Sequence, residues 1–366
     1  MSILSSLKQH YRSRFLTALR RGQSRRATVE AASESLEDRA LLSSVSFSQA
    51  TGTAVFNADA NDENVLRISS PDADTLVIRS QVASGGILSD DPITLQGDAV
   101  GNAGYSLDPT GTVLTIDVTA AGSLTTSVLV NTFEDNDQVF LLSSTAATAI
   151  TIDGGSGDDS FVVGTNNRLD TLFGDVDFDG GSGDDSLDLL DFESTPSDTV
   201  DLTSTSVVGI APGDIGYEAI ESLMIDAADR TPLVLNVLST AAGVNTVADL
   251  TFADASGTPI QSIVTLGNTN AGFENSTGNL DAIAGNLSLV TNSGSVALQI
   301  DDSGDASGDN ATISATAISG FSAGTINYSD GTLFSSVEVL AGTGDDTINA
   351  SSVGAPVTLS LSLIHI

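Results

Sequence analysis

The sequence has no cysteine and no tryptophan among its 366 residues. Disulfides, thiolate metal sites and cysteine nucleophiles are thereby excluded. The only histidines are His10 and His365, near the two ends, and the only lysine is Lys8. A serine triad or a histidine-ligated zinc cannot be assembled in the body of such a chain. Paired aspartates could serve a glycosidase, but the pairs present here read better as turn or cation-binding residues, and the chain is read as non-catalytic. The N-terminal segment, residues 1–43, has no apolar run of the length a secretory signal or a membrane span needs.

Basic residues are scarce and segregated. Eight of the 12 Lys and Arg precede Ser43, where four acids accompany them, giving the head a net +4. The remainder holds four arginines against 44 acids, a net −40. A body so acidic repels nucleic acid and anionic surfaces and collects cations.

What is abundant is glycine, serine, threonine, aspartate, alanine and valine. From residue 44 onward, runs of four to six β-favouring residues such as VLTIDV, SVLVN, AITID and VALQI alternate with Gly, Asp, Asn and Ser turns. The pattern predicts an all-β domain over residues 44–360. The stretch Ile215–Ile225, IGYEAIESLMI, fits either a short helix or strand–turn–strand.

One motif recurs. DGGSGDDSFV at Asp153–Val162 returns as DGGSGDDSLD at Asp179–Asp188 and, weaker, as AGTGDDTIN at Ala341–Asn349. Aligned on the acid two residues before an apolar position, the units give Asp74, Asp137, Asp159, Asp185 and Asp346. A decayed copy lies at Leu298–Ser314. The spacings of 22 from Asp137 to Asp159 and 26 from Asp159 to Asp185 each match one coil of a parallel β-helix. The longer gaps, from Asp74 to Asp137 and from Asp185 to Asp346, would hold about three and about six or seven such coils. The expected architecture is a parallel β-solenoid; tandem β-sandwich modules are the alternative. Asp159 and Asp185 should then stack on adjacent coils.

The units resemble the nonapeptide of RTX (hemolysin-type) calcium repeats, GGxGxD followed by any residue and an apolar one. The resemblance implies calcium ligation by Gly155, Gly157 and Asp159, and by Gly181, Gly183 and Asp185, with Asp158 and Asp184 as outer ligands or screening charges. It implies a weaker site at Gly344, Asp345 and Asp346. Calcium takes six to eight oxygens at flexible geometry, which glycine carbonyls and aspartates supply. RTX repeats run in tandem every nine residues, whereas each copy here stands alone and offers half a site. Just ahead of the second copy, Asp175, Asp177 and Asp179 open like an EF-hand loop, but its twelfth position is Ser186. The segment reads as a strand with an acidic outer face, and Asp179 as a supplementary ligand.

The basic head, residues 1–43, could form a short amphipathic helix or remain disordered. It ends in ESLEDRALLS, which resembles the LEPR-XLL segment of planctomycete surface proteins, with Asp38 where that pattern has proline. That resemblance implies export or cell-envelope sorting. The expectation is an exported, calcium-binding structural or adhesive surface protein whose partners are calcium ions and envelope polysaccharide or other surface proteins. The alternative is a metal-independent carbohydrate- or protein-binding module of a larger surface protein. The last six residues, LSLIHI, look like translated adapter read-through, so residues 361–366 are expected to be non-native or a truncated end.

Overall fold

The computed structural model describes residues 42–60, 62–122, 124–192, 199–227, 232–251, 261–268, 277–328, 334–351 and 355–360. The basic head, most of the LEPR-XLL-like segment and the last six residues lie outside the described residues. The described chain is all β, with 29 strands in two large sheets and no helix. No helix among the described residues is long and apolar enough to cross a membrane.

The chain alternates between the two sheets. Ser127–Asn131, Ala149–Asp153, Val176–Asp179 and Ile215–Glu218 pair in parallel in the first. Gln138–Leu141, Ser160–Val163, Ser186–Leu190, Ser222–Asp226 and Asn245–Asp249 do so in the second. Parallel pairing of successive strands is a solenoid and excludes tandem sandwiches, which pair antiparallel. Period-two alternation sends every other side chain between the sheets. Ile150 and Ile152 lie in register with Val176 and Phe178, Phe161 and Val163 with Leu187 and Leu189, and all are buried. Phe161 meets Phe178 across the sheets at a ring-centroid distance of 5.4 Å. The in-register apolar columns make the core continuous along the stack.

Two expectations about the coils are corrected. The unit at Asp74 is not a solenoid turn. It lies at the tip of an antiparallel hairpin between Glu63–Asp72 and Thr75–Ser84. The gap from Asp74 to Asp137 therefore holds an antiparallel excursion rather than three coils. This excursion covers the first coil, since Glu63–Asp72 also pairs in parallel with Gln138–Leu141. The later gap, from Asp185 to Asp346, holds fewer and longer coils than expected. One coil carries Asp185 to Glu221, a separation of 36, and another carries Asn245 to Asn286, a separation of 41. In the first of these the antiparallel pairing of Thr199–Leu202, Ser206–Val208 and Ile215–Glu218 absorbs part of the excess. IGYEAIESLMI is strand–turn–strand.

The stack contains a longer repeat that the acidic motif hides. At one constant offset along the chain, Leu169, Gly174, Asp191, Gly209 and Tyr217 match Leu280, Gly285, Asp302, Gly320 and Tyr328. The structural roles match too. The Tyr217 hydroxyl donates to Thr203 O at 2.5 Å, and the Tyr328 hydroxyl donates to Ser314 O. Corresponding strands lie in opposite sheets: Ser186–Leu190 is in the second and Ser295–Asp301 in the first. The second copy is therefore turned half a coil about the solenoid axis.

Candidate metal centre

The acidic turns carry the chain from the first sheet to the second, and they stack. Ser156 bridges in parallel to Glu134 on one side and to Ser182 on the other. Glycine is required here chiefly by close approach of backbone. A Cβ on Gly155 would lie 2.0 Å from Phe133 O, on Gly157 1.9 Å from Asp135 O, on Gly181 2.1 Å from Gly155 O and on Gly183 1.8 Å from Gly157 O. All four glycines have positive φ. That alone does not exclude a side chain, because Phe133 and Asp135 have φ of 76° and 70° at the equivalent places one coil earlier. The carbonyl of Gly155 accepts from Ser182 N at 2.9 Å, so it joins coil to coil.

The two adjacent aspartates have opposite assignments. The inner ones face back along the stack. Asn64 N donates to Asp137 Oδ1 at 2.6 Å, Asp137 N to Asp159 Oδ1 at 2.8 Å, Asp159 N to Asp185 Oδ1 at 2.7 Å and Asp185 N to Glu221 Oε2 at 2.8 Å. The outer position faces forward at Asn136 and Asp158: Asp158 N donates to Asn136 Oδ1 at 2.8 Å and Asp184 N to Asp158 Oδ1 at 3.1 Å. Each turn is thus tied to both neighbours by side chains that satisfy otherwise orphaned amides.

Only one oxygen of each inner carboxylate is used. Asp137, Asp159 and Asp185 are 1%, 2% and 1% exposed, and the Oδ2 of each is buried with no hydrogen-bond partner. Burial pushes the Asp137 carboxyl up to about 7, helped by the charge of Asp159. Burial likewise pushes Asp159 and Asp185 up to about 6, with Asp185 and Asp158 acting on the first, and Glu221, Asp158 and Asp184 on the second. The column holds protons more tightly than the unfolded chain does. Its contribution to stability is full below the ordinary carboxylate range and is lost as pH rises through about 6 to 7. At neutral pH the orphaned oxygens need a cation or a proton.

Asp179 is not in this column. Its Oδ1 accepts from Gly181 N at 3.0 Å, and it lies in register between Asp153 and Glu218 on the outer face of the first sheet. Asp175 and Asp177 are exposed, as an acidic outer strand face requires. The third copy stacks on the decayed one: Asp309 N donates to Asp346 Oδ1 at 3.0 Å, and a Cβ on Gly344 would lie 1.6 Å from Ser307 O. Asp345 is exposed.

Sequence reasoning left Asp137 and Glu221 out of the ligand set. The one-coil spacing to Asp159 was the signal for Asp137; Glu221 sits in a turn without glycines and carries none. It also missed Asp302, Asp305 and Asp309, whose carboxylate oxygens lie within 4.8 Å of one another. Comparison with protein-family models, curated proteins and solved structures finds no match to this chain.

Proposed function

We propose that this is a non-catalytic, calcium-binding, exported surface protein with a structural or adhesive role, in which calcium is held at the stacked Gly/Asp turns. The observation that carries the reading is the column Asp137, Asp159 and Asp185, each with one buried oxygen left without a hydrogen-bond partner. Asp158 and Asp184 add exposed carboxylates at the mouth of the same turns. These are hard oxygen donors, of the kind calcium selects. Two adjacent half-sites are joined by the bond from Asp159 N to Asp185 Oδ1, which supports one shared site over independent ones. Calcium would also offset the self-repulsion of a body with a net −40 charge, coupling metal binding to folding. Export and surface location rest on the basic head and its LEPR-XLL resemblance.

Calorimetric calcium titration at pH 7.5 tests the reading. Asp159→Asn and Asp185→Asn should each weaken the same binding event tenfold or more. Two separate losses, or no calcium binding by the wild-type protein, would overturn it.

A further inference from the structure

We propose that Asp302, Asp305 and Asp309 form a second calcium site, independent of the Asp137–Asp185 column, in the turn that follows the strand Ser295–Asp301. Three carboxylate oxygens, one from each residue, lie within 4.8 Å of one another. Calcium, which binds oxygens at about 2.3–2.6 Å, bridges such a spread.

An acidic cluster alone would not establish a site, but Asp302 adds a separate observation. It is 1% exposed; its Oδ1 accepts from Leu280 N at 2.9 Å, while its buried Oδ2 is reached by no N–H or hydroxyl donor and meets only the Asp309 carboxylate. Asp309 Oδ2 is likewise buried with no N–H or hydroxyl donor. Burial and the facing Asp309 raise the Asp302 carboxyl. Asp305 is the opposite case: the hydroxyl and amide of Ser307 bond to its two oxygens and hold its carboxyl below the usual range, so it stays anionic. Two carboxylates therefore face each other beside a third that keeps its charge.

The surrounding chain offers no basic side chain to neutralise them. Between Thr231 and Ile364 the sequence contains no Lys, Arg or His. No residue of this stretch can supply a cationic counter-charge, which leaves a proton or a metal ion as the neutralising group it can hold.

The long repeat separates structural duty from the rest. In the first copy Asp191 Oδ1 accepts from Leu169 N at 2.8 Å, as Asp302 Oδ1 does from Leu280 N. That shared bond accounts for one oxygen of Asp302. It does not account for Asp305, whose counterpart in the first copy's sequence is Ser194. The turn Asp302–Asp309 is also longer than Ala341–Asp346, on which it stacks, and Asp305 within it is 8% exposed.

The test is calcium calorimetry on the full chain carrying Asp159→Asn and Asp185→Asn, which isolates this site from the column. One calcium event should remain, and adding Asp302→Asn or Asp309→Asn should weaken it tenfold or more. Asp302→Asn keeps the oxygen that accepts from Leu280 N, and an unchanged circular dichroism spectrum confirms the fold; the more exposed Asp309→Asn decides if it does not fold. The proposal is overturned if no event remains, or if the remaining event ignores both substitutions, the result expected if a shared proton alone neutralises the pair. Loss of the column's calcium response leaves this outcome unaffected, so the two sites fail separately.

Discussion

Gly183→Val is expected to abolish folding of the stacked turns, with a loss above about 4 kcal/mol, the range reserved for forced backbone displacement or buried-core damage. The cause is contact between main chains. The new Cβ would sit 1.8 Å from Gly157 O, and neither group can swing away as a side-chain end could. Relief requires separating two coils. That separation would break the Asp159–Asp185 and Asp158–Asp184 bonds that clamp the same turns. Against a typical total stability of about 5–15 kcal/mol, such a loss leaves little folded protein. Gly243→Ala is the control: φ is +87°, yet nothing lies within 4 Å of its Cβ position. Its cost is conformational only, about 1–2 kcal/mol. Urea unfolding followed by circular dichroism distinguishes the two; equal losses would mean that close stacking is not what requires glycine in the acidic turns.

Asp159→Asn should change sign with conditions. Asparagine keeps an oxygen for Asp137 N but removes a charge that burial and the neighbouring carboxylates disfavour. In metal-free protein at pH 8 the variant is expected to be more stable than wild type by about 1–2 kcal/mol, a part of the roughly 1.4 kcal/mol per unit that the raised carboxyl costs when ionised. At pH 5 the wild-type group is largely protonated and the advantage shrinks, so wild type should lose more stability than the variant between pH 5 and 8. In millimolar calcium the order should reverse, since only wild type gains from calcium at the column. Urea midpoints at pH 5 and 8, with calcium and with chelator, give the comparison. A variant less stable without metal that keeps the full calcium response would contradict the assignment.

The solenoid is visible in the sequence because the copies at Asp137, Asp159 and Asp185 fall one coil apart and each leads into alternating apolar residues. The Asp74 unit misleads for a physical reason: PDAD suits a hairpin tip as well as a coil turn, and only long-range pairing separates them. The doubled aspartate shows that two carboxylates are needed but not that one reaches back and the other forward, because direction along the stack has no local signature. The long repeat that relates Asp191 to Asp302 is carried by a few glycines, leucines and aspartates and crosses from one sheet to the other, so no single strand pattern reveals it. Asp302 escapes notice because it occupies the first position after a strand, where the better copies have Gly154 and Gly180.

Calcium-coupled folding is tested most directly by thermal melting of the wild-type protein at pH 7.5, followed by circular dichroism, in chelator and in millimolar calcium. A hundredfold excess of calcium over its dissociation constant stabilises a one-site protein by about 2.7 kcal/mol. The expected result is a melting temperature several degrees higher in calcium, reversed by chelator. Superimposable melts at both conditions would contradict calcium as the group that completes the carboxylate column.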